Sequence, residues 1–179
     1  MYKLLAIVAL IIDSGFIVNK VLSMSNGLRK KQTFVIVSPF RAKLTDGGQP
    51  IKNAVITLRY SWNSGSDDDE AGYTKRYKSD SEGVVEIPAI EKEIFVSNVQ
   101  KTASNYTISV TVKGAETEFH TVSKSNPAMH GELEKELIGL TCDIGAPWMM
   151  VVNPGAEGSS LFGTKCEWPD RKNLQVEEL

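Results

Sequence analysis

Cysteine, histidine and any excess of one charge are what this 179-residue chain has least of, and each shortage removes a class of function. The two cysteines, Cys142 and Cys166, have no Cys or His beside them at ligand spacing, so no metal site is expected. The two histidines, His120 and His130, are its only side-chain bases that titrate near neutrality. His120 alternates with Phe119 in a predicted strand and His130 falls in a loop. Neither sits in a catalytic motif, so both are read as ordinary strand and loop residues. No G-x-S-x-G elbow, H-E-x-x-H helix, phosphate-cradling glycine loop or dinucleotide fingerprint occurs. The expectation is a protein with no catalytic residues and no cofactor.

The formal net charge is only −2, and the basic residues are scattered rather than grouped beside aromatics, which argues against a nucleic-acid partner. Also missing is an uninterrupted apolar run of the roughly 20 residues that cross a bilayer. The run over residues 4–12 follows Lys3 and is broken by Asp13; Phe16-Ile17-Val18 and the small-x-small Ser23-Met24-Ser25 come next. That order is the layout of a secretory signal. It is read as a hydrophobic helical leader over residues 1–25, which would place the mature protein in the periplasm or cell envelope. Two rival readings are an uncleaved anchor, touching the membrane only through residues 4–18, and a buried amphipathic helix.

What the chain does have is a globular balance, 41% apolar and 23% charged, in a length that suits one domain. From Thr33 onward it reads as short strands divided by turn clusters. Residues 33–37 and 40–44 flank Ser38-Pro39, which suggests an edge position or a bend between two half-strands. Asp46-Gly47-Gly48-Gln49-Pro50 is a turn, and residues 54–62 alternate so that Ile56, Leu58, Tyr60 and Trp62 share one face, the expected core. Residues 73–78 return as a hairpin partner, 79–83 turn again, and 84–90, 93–99, 106–112 and 118–122 complete the series. Residues 132–137 are expected to hold one short helix, unless the carboxy-terminal half is already strand, residues 161–168 a last strand, and residues 169–179 a flexible tail. The expected fold is all-β, with a single antiparallel β-sandwich over residues 32–168.

In an oxidising compartment Cys142 and Cys166 are expected to pair; in a reducing one they are two small buried apolar groups. Asp67, Asp68, Asp69 and Glu70 form an acidic loop that reads as a solvated surface and a candidate contact for a basic partner, rather than a calcium site. Trp62 and Trp148 are candidate glycan platforms, although core packing is the favoured role for both.

Gly48-Gln49-Pro50-Ile51-Lys52-Asn53-Ala54-Val55, followed by Ser79-Asp80-Ser81-Glu82-Gly83-Val84-Val85, resembles the "G-x-P-V-x-G-A-x-V" and "T-D-x-x-G-x-F" pair of carboxypeptidase-regulatory-like, transthyretin-like domains. The match departs at Asn53, where a second glycine is usual, and at Val85, where an aromatic is common. More of the chain is similar to a small bacterial family known only as a domain of unknown function. That family has an "S-P-x-x-G-x-V" segment, a "C-[DE]-[LI]" segment and a closing "C-x-W", here Ser38-Pro39, Cys142-Asp143-Ile144 and Cys166-Glu167-Trp168. The first resemblance implies a transthyretin-like or immunoglobulin-like sandwich. The second implies that the two cysteines are a framework pair, and neither implies an activity. The function these features point to is an exported protein-binding module, of the kind that neutralises a toxin directed at the envelope. The alternative is a carbohydrate or cell-wall binding accessory domain.

Overall fold

The computed structural model describes residues 29–63, 72–97, 102–156 and 160–179. The leader with its helix and the acidic stretch Asp67–Glu70 lie outside the described residues. Within them the chain is all-β, with fourteen strands and no helix. Strand β1 (Arg29–Val37) pairs antiparallel with β7 (Ile90–Ser97) as a ribbon. A second sheet is built on β2 (Phe40–Asp46), which pairs antiparallel with β6 (Val84–Ile87) and β3 (Gln49–Pro50). It pairs in parallel with β10 (Leu140–Asp143), and β10 carries β13 (Cys166–Glu167). The third sheet runs β14 (Gln175–Glu178), β11 (Met149–Val152), β12 (Ser160–Thr164), β9 (Ala115–Lys124), β8 (Ala103–Val112), β4 (Val55–Asn63), β5 (Tyr73–Lys78).

Period-two patterning explains most of the large sheet. In β4, Ile56, Leu58, Tyr60 and Trp62 are buried while Val55 and Arg59 face solvent. Tyr106, Ile108 and Val110 repeat the pattern in the neighbouring β8. Lys113 and Gly114 both have positive φ, 51° and 83°, the backbone a two-residue hairpin turn needs between β8 and β9. Phe40 on β2 meets Phe119 on β9 at 6.2 Å between ring centroids, and the buried residues of all three sheets belong to one core cluster. The Ser38-Pro39 break separates strands of different sheets, as its proline suggests.

The turns carry the stringent positions. Gly83 has φ 84°, and a Cβ there would stand 2.9 Å from the Leu44 carbonyl oxygen, so the 79–83 turn admits only glycine at that point. Asn53, which replaces the glycine of the resembled motif, sits at φ 54°, a left-handed conformation that asparagine tolerates better than other residues with a Cβ.

The structure differs from the sequence expectations in four places. The sheets are not wholly antiparallel, because β10 reaches β2 from a distant part of the chain and enters in parallel. Residues 132–137 form a turn followed by irregular chain instead of a helix: Glu134 holds a positive φ of 52°, which an α-helix cannot contain, and His130 just before the range holds 54°. Residues 175–178 of the expected flexible tail form β14, paired with β11. Last, residues 161–168 divide into two strands of different sheets, β12 and β13.

Candidate binding surface

A bulge in β9 decides what lies beneath the surface. Ile108 pairs with His120 and Ser109 with Glu118, so Phe119 is one residue too many for its partner strand. Phe119 and His120 consequently point inward in succession, 0% and 2% exposed, although alternation allows only one of them to. After the bulge the inward parity is His120, Val122 and Lys124, which delivers an imidazole and an ammonium into the core.

Lys124, fully buried, places Nζ 3.1 Å from Glu132 Oε2 and 3.1 Å from Ser38 Oγ. The Ser38 hydroxyl donates to Glu132 Oε2 at 2.8 Å and accepts the His130 backbone N–H at 3.1 Å. Tyr106 donates to the other carboxylate oxygen at 3.4 Å, and Lys124 also donates to the Ala128 carbonyl at 3.4 Å. Glu132 thus ties the turn segment 126–139 to β8, β9 and the Ser38 break. Burial pushes the Glu132 carboxyl up, but Lys124 and the hydrogen bonds together outweigh it and leave the group below the ordinary carboxylate range. Burial lowers the Lys124 ammonium, and Glu132 opposes that. The pair is therefore an ionised one held by mutual neutralisation.

His120 is caged by Phe40, Phe162 and Tyr106, with ring centroids at 4.7, 4.9 and 5.9 Å, and its Nδ1 is 3.2 Å from Thr164 Oγ1. Burial brings its pKa down to about 4, with Glu132 opposing, so the ring is neutral at physiological pH. The cavity that His120 shares with Tyr106, His130, Glu132 and Leu137 measures about 20 Å³. That is room for about one water molecule and for no substrate. An imidazole and an acid do meet here, yet in a space too small for a substrate.

Concave surface open to solvent lies instead on the β2 sheet. Two adjoining hollows of about 440 and 470 Å³ share Arg41, Glu136 and Leu137. One side of the groove is β2 and β6 with Pro39, Phe40, Val84 and Ile87; the other is the segment 136–139, where Ile138 is 72% exposed. An Arg41–Glu86 ion pair of 2.7 Å crosses its rim. Apolar lining with a few charges is the usual composition of a contact surface.

The remaining candidates fall elsewhere. Cys142 and Cys166 form a disulfide between directly paired positions of β10 and β13. Trp62 is buried and stacks on Tyr73 at 4.9 Å and Tyr60 at 6.3 Å, with Lys92 over its ring. Trp148 is half-buried under Lys165 Nζ. Asp143, inside the "C-[DE]-[LI]" segment, accepts from the Gly47, Gly48 and Gly145 backbone N–H groups and from Thr45. These donors hold its carboxyl below the ordinary range, with the Gly48 bond the largest cause. Residue-type reasoning missed the Ser38–Lys124–Glu132 cluster. Its one visible signal was Lys124 at the same parity as Val122.

A family model described as "Domain of unknown function (DUF6795)" matches residues 40–147, which spans both sides of the groove and Cys142 and stops before Cys166. No curated protein and no solved structure matches the chain.

Proposed function

Starting from the premise that this chain belongs to the DUF6795 domain family, we propose that it is an exported, non-catalytic protein-binding module built on a transthyretin-like sandwich. We read it as the type that neutralises a toxin or hydrolase delivered to the envelope. One observation carries the reading. The only grouping of imidazole, amine and carboxylate among the described residues lines a cavity of about 20 Å³, too small for a substrate, while the groove beside it offers hollows of about 440 and 470 Å³ with a lining more apolar than polar. The fold consumes the reactive groups and leaves a contact face. Export is supported by the leader pattern and by the disulfide, a bond that persists in oxidising compartments.

The test is to mix the purified protein with the envelope-directed toxin or hydrolase encoded beside its gene. A stable complex that suppresses the toxin, weakened at least about tenfold by Ile138→Glu in the groove, is expected, since a desolvated charge at a contact costs more than 1.4 kcal/mol. No complex with any such neighbour would overturn the reading. The glycan alternative rests on the half-buried Trp148. Retention on peptidoglycan that disappears in Trp148→Ala would favour it instead.

A further inference from the structure

We propose that residues 126–139 are an acid-released flap: protonation of His120 inside its aromatic cage draws Glu132 off Lys124 and frees the segment that walls the groove. The flap is fastened along its length. Glu132 is held by Lys124, Ser38 and Tyr106; the Pro127 carbonyl accepts the Val35 N–H at 2.9 Å; Leu133 is buried and its carbonyl accepts from Asn153 at 2.7 Å; and Lys135 pairs with Asp170. Of these, the Glu132 fastening is the one whose carboxylate a charged His120 can draw away.

The geometry leaves a charged His120 with one recourse. Phe40, Phe162 and Tyr106 surround the ring, Thr164 Oγ1 faces Nδ1, and the adjoining space accommodates about one water. An imidazolium there cannot be solvated, so it must take a carboxylate or leave. Charged and titratable groups around it are Tyr106 on β8, Lys124 on β9, and His130, Glu132 and Lys135 on the flap. Lys135 is turned to Asp170 at 2.8 Å, which leaves Glu132 as the carboxylate lining this cavity. Glu132 cannot neutralise His120 and remain fully committed to Lys124. Either it shifts toward the ring and leaves a buried ammonium short of its partner, or the flap lifts and water enters.

The flap's own backbone favours lifting. His130 and Glu134 are held at φ 54° and 52°, conformations that persist only while surrounding contacts impose them. Once Glu132 lets go, the strain relaxes outward and the side of the groove formed by residues 136–139 moves with it. The flap itself does not depend on what the groove binds; its regulatory consequence rests on the binding reading above.

Amide hydrogen exchange on the whole protein tests this without any partner, so failure of the flap and failure of the binding reading are distinguishable. With intrinsic rates corrected for pH, peptides from 126–139 are expected to open about 30-fold more readily at about pH 5 than at about pH 7.5. That factor follows from a histidine at about 4 when closed and near 6.5 when open. Peptides from β8 should not change. His120→Gln should abolish the response, and Glu132→Gln should leave the segment loose at both pH values. Protection of 126–139 that stays constant to about pH 5, or an equal rise in His120→Gln, would overturn the proposal. If His120→Gln does not fold, Glu132→Gln serves alone: a segment as well protected as in the wild type would overturn it.

Discussion

The β4–β8 strand pair and the Ser38–Lys124–Glu132 region bury side chains equally well but by opposite means. Between β4 and β8, Ile56, Leu58, Ile108 and Val110 are sealed by apolar neighbours, and nothing titrates among them. About 7 Å of each strand, at about 3.3 Å of rise per residue, is thereby held by an interaction that does not depend on pH. Around Lys124 the same degree of closure surrounds an ammonium, a carboxylate, a phenol and an imidazole. The first region is robust because its parts are interchangeable. The second holds only while each charge keeps its partner.

The largest effect expected from breaking this contrast is at Lys124. Lys124→Met leaves Glu132 buried without its cation and should cost about 4 kcal/mol in denaturant unfolding. The double variant Lys124→Met with Glu132→Gln should recover most of that, and a double variant as unstable as the single would show that the pair is not the source. Leu58→Ala, by comparison, should cost about 3 kcal/mol, and the cost should be equal at all pH values.

Acid sharpens the difference further. The folded pKa of His120 is depressed to about 4 from 6.5, so the unfolded chain binds the proton more readily. The stability this contributes is complete above about pH 6.5 and is lost as pH falls toward about 4, in total about 3 kcal/mol. Glu132, also depressed, adds a loss below the ordinary carboxylate range, where its bond to Lys124 goes. Melts of the wild type and of Leu58→Ala should fall in parallel with acid, while His120→Gln should be flat over that window; a wild type that is flat would sink the argument.

The smallest effect is expected at Asp143. Three of its four hydrogen bonds brace the 45–48 turn against the end of the parallel strand β10, the fourth holds Gly145, and the side chain is half-buried. Asp143→Ala should cost about 1 to 2 kcal/mol and leave the core regions unchanged by near-ultraviolet circular dichroism. The Cys142–Cys166 disulfide closes a loop of 24 residues next to it. It is the reason the loss should stay local, since the bond keeps β10 and β13 in register.

Legibility in the sequence followed the same divide. Strand positions in β4, β5, β8 and the turns at 46–50, 79–83 and 113–114 were readable because alternation and positive-φ residues are local properties. The helix expected over 132–137 failed because its Leu and Glu spacing was overridden by contacts from elsewhere: Ser38, 94 residues away, and Lys124 hold Glu132 in a turn. His120 read as an ordinary strand residue, and its burial went unseen, because a bulge has no signature in one strand alone. It appears only when the partner strand is counted against it.

The sequence by itself determined that this chain makes β-strands, where they reverse, and which of their faces are apolar, since each follows from steric and hydrophobic preferences of neighbouring residues. Tertiary structure alone decided that β10 would lie parallel to β2, that one extra residue in β9 would turn a lysine and a histidine inward, and that their partners would come from a distant break and a turn. Those outcomes depend on free energies shared between segments far apart in the chain, and no local pattern encodes them.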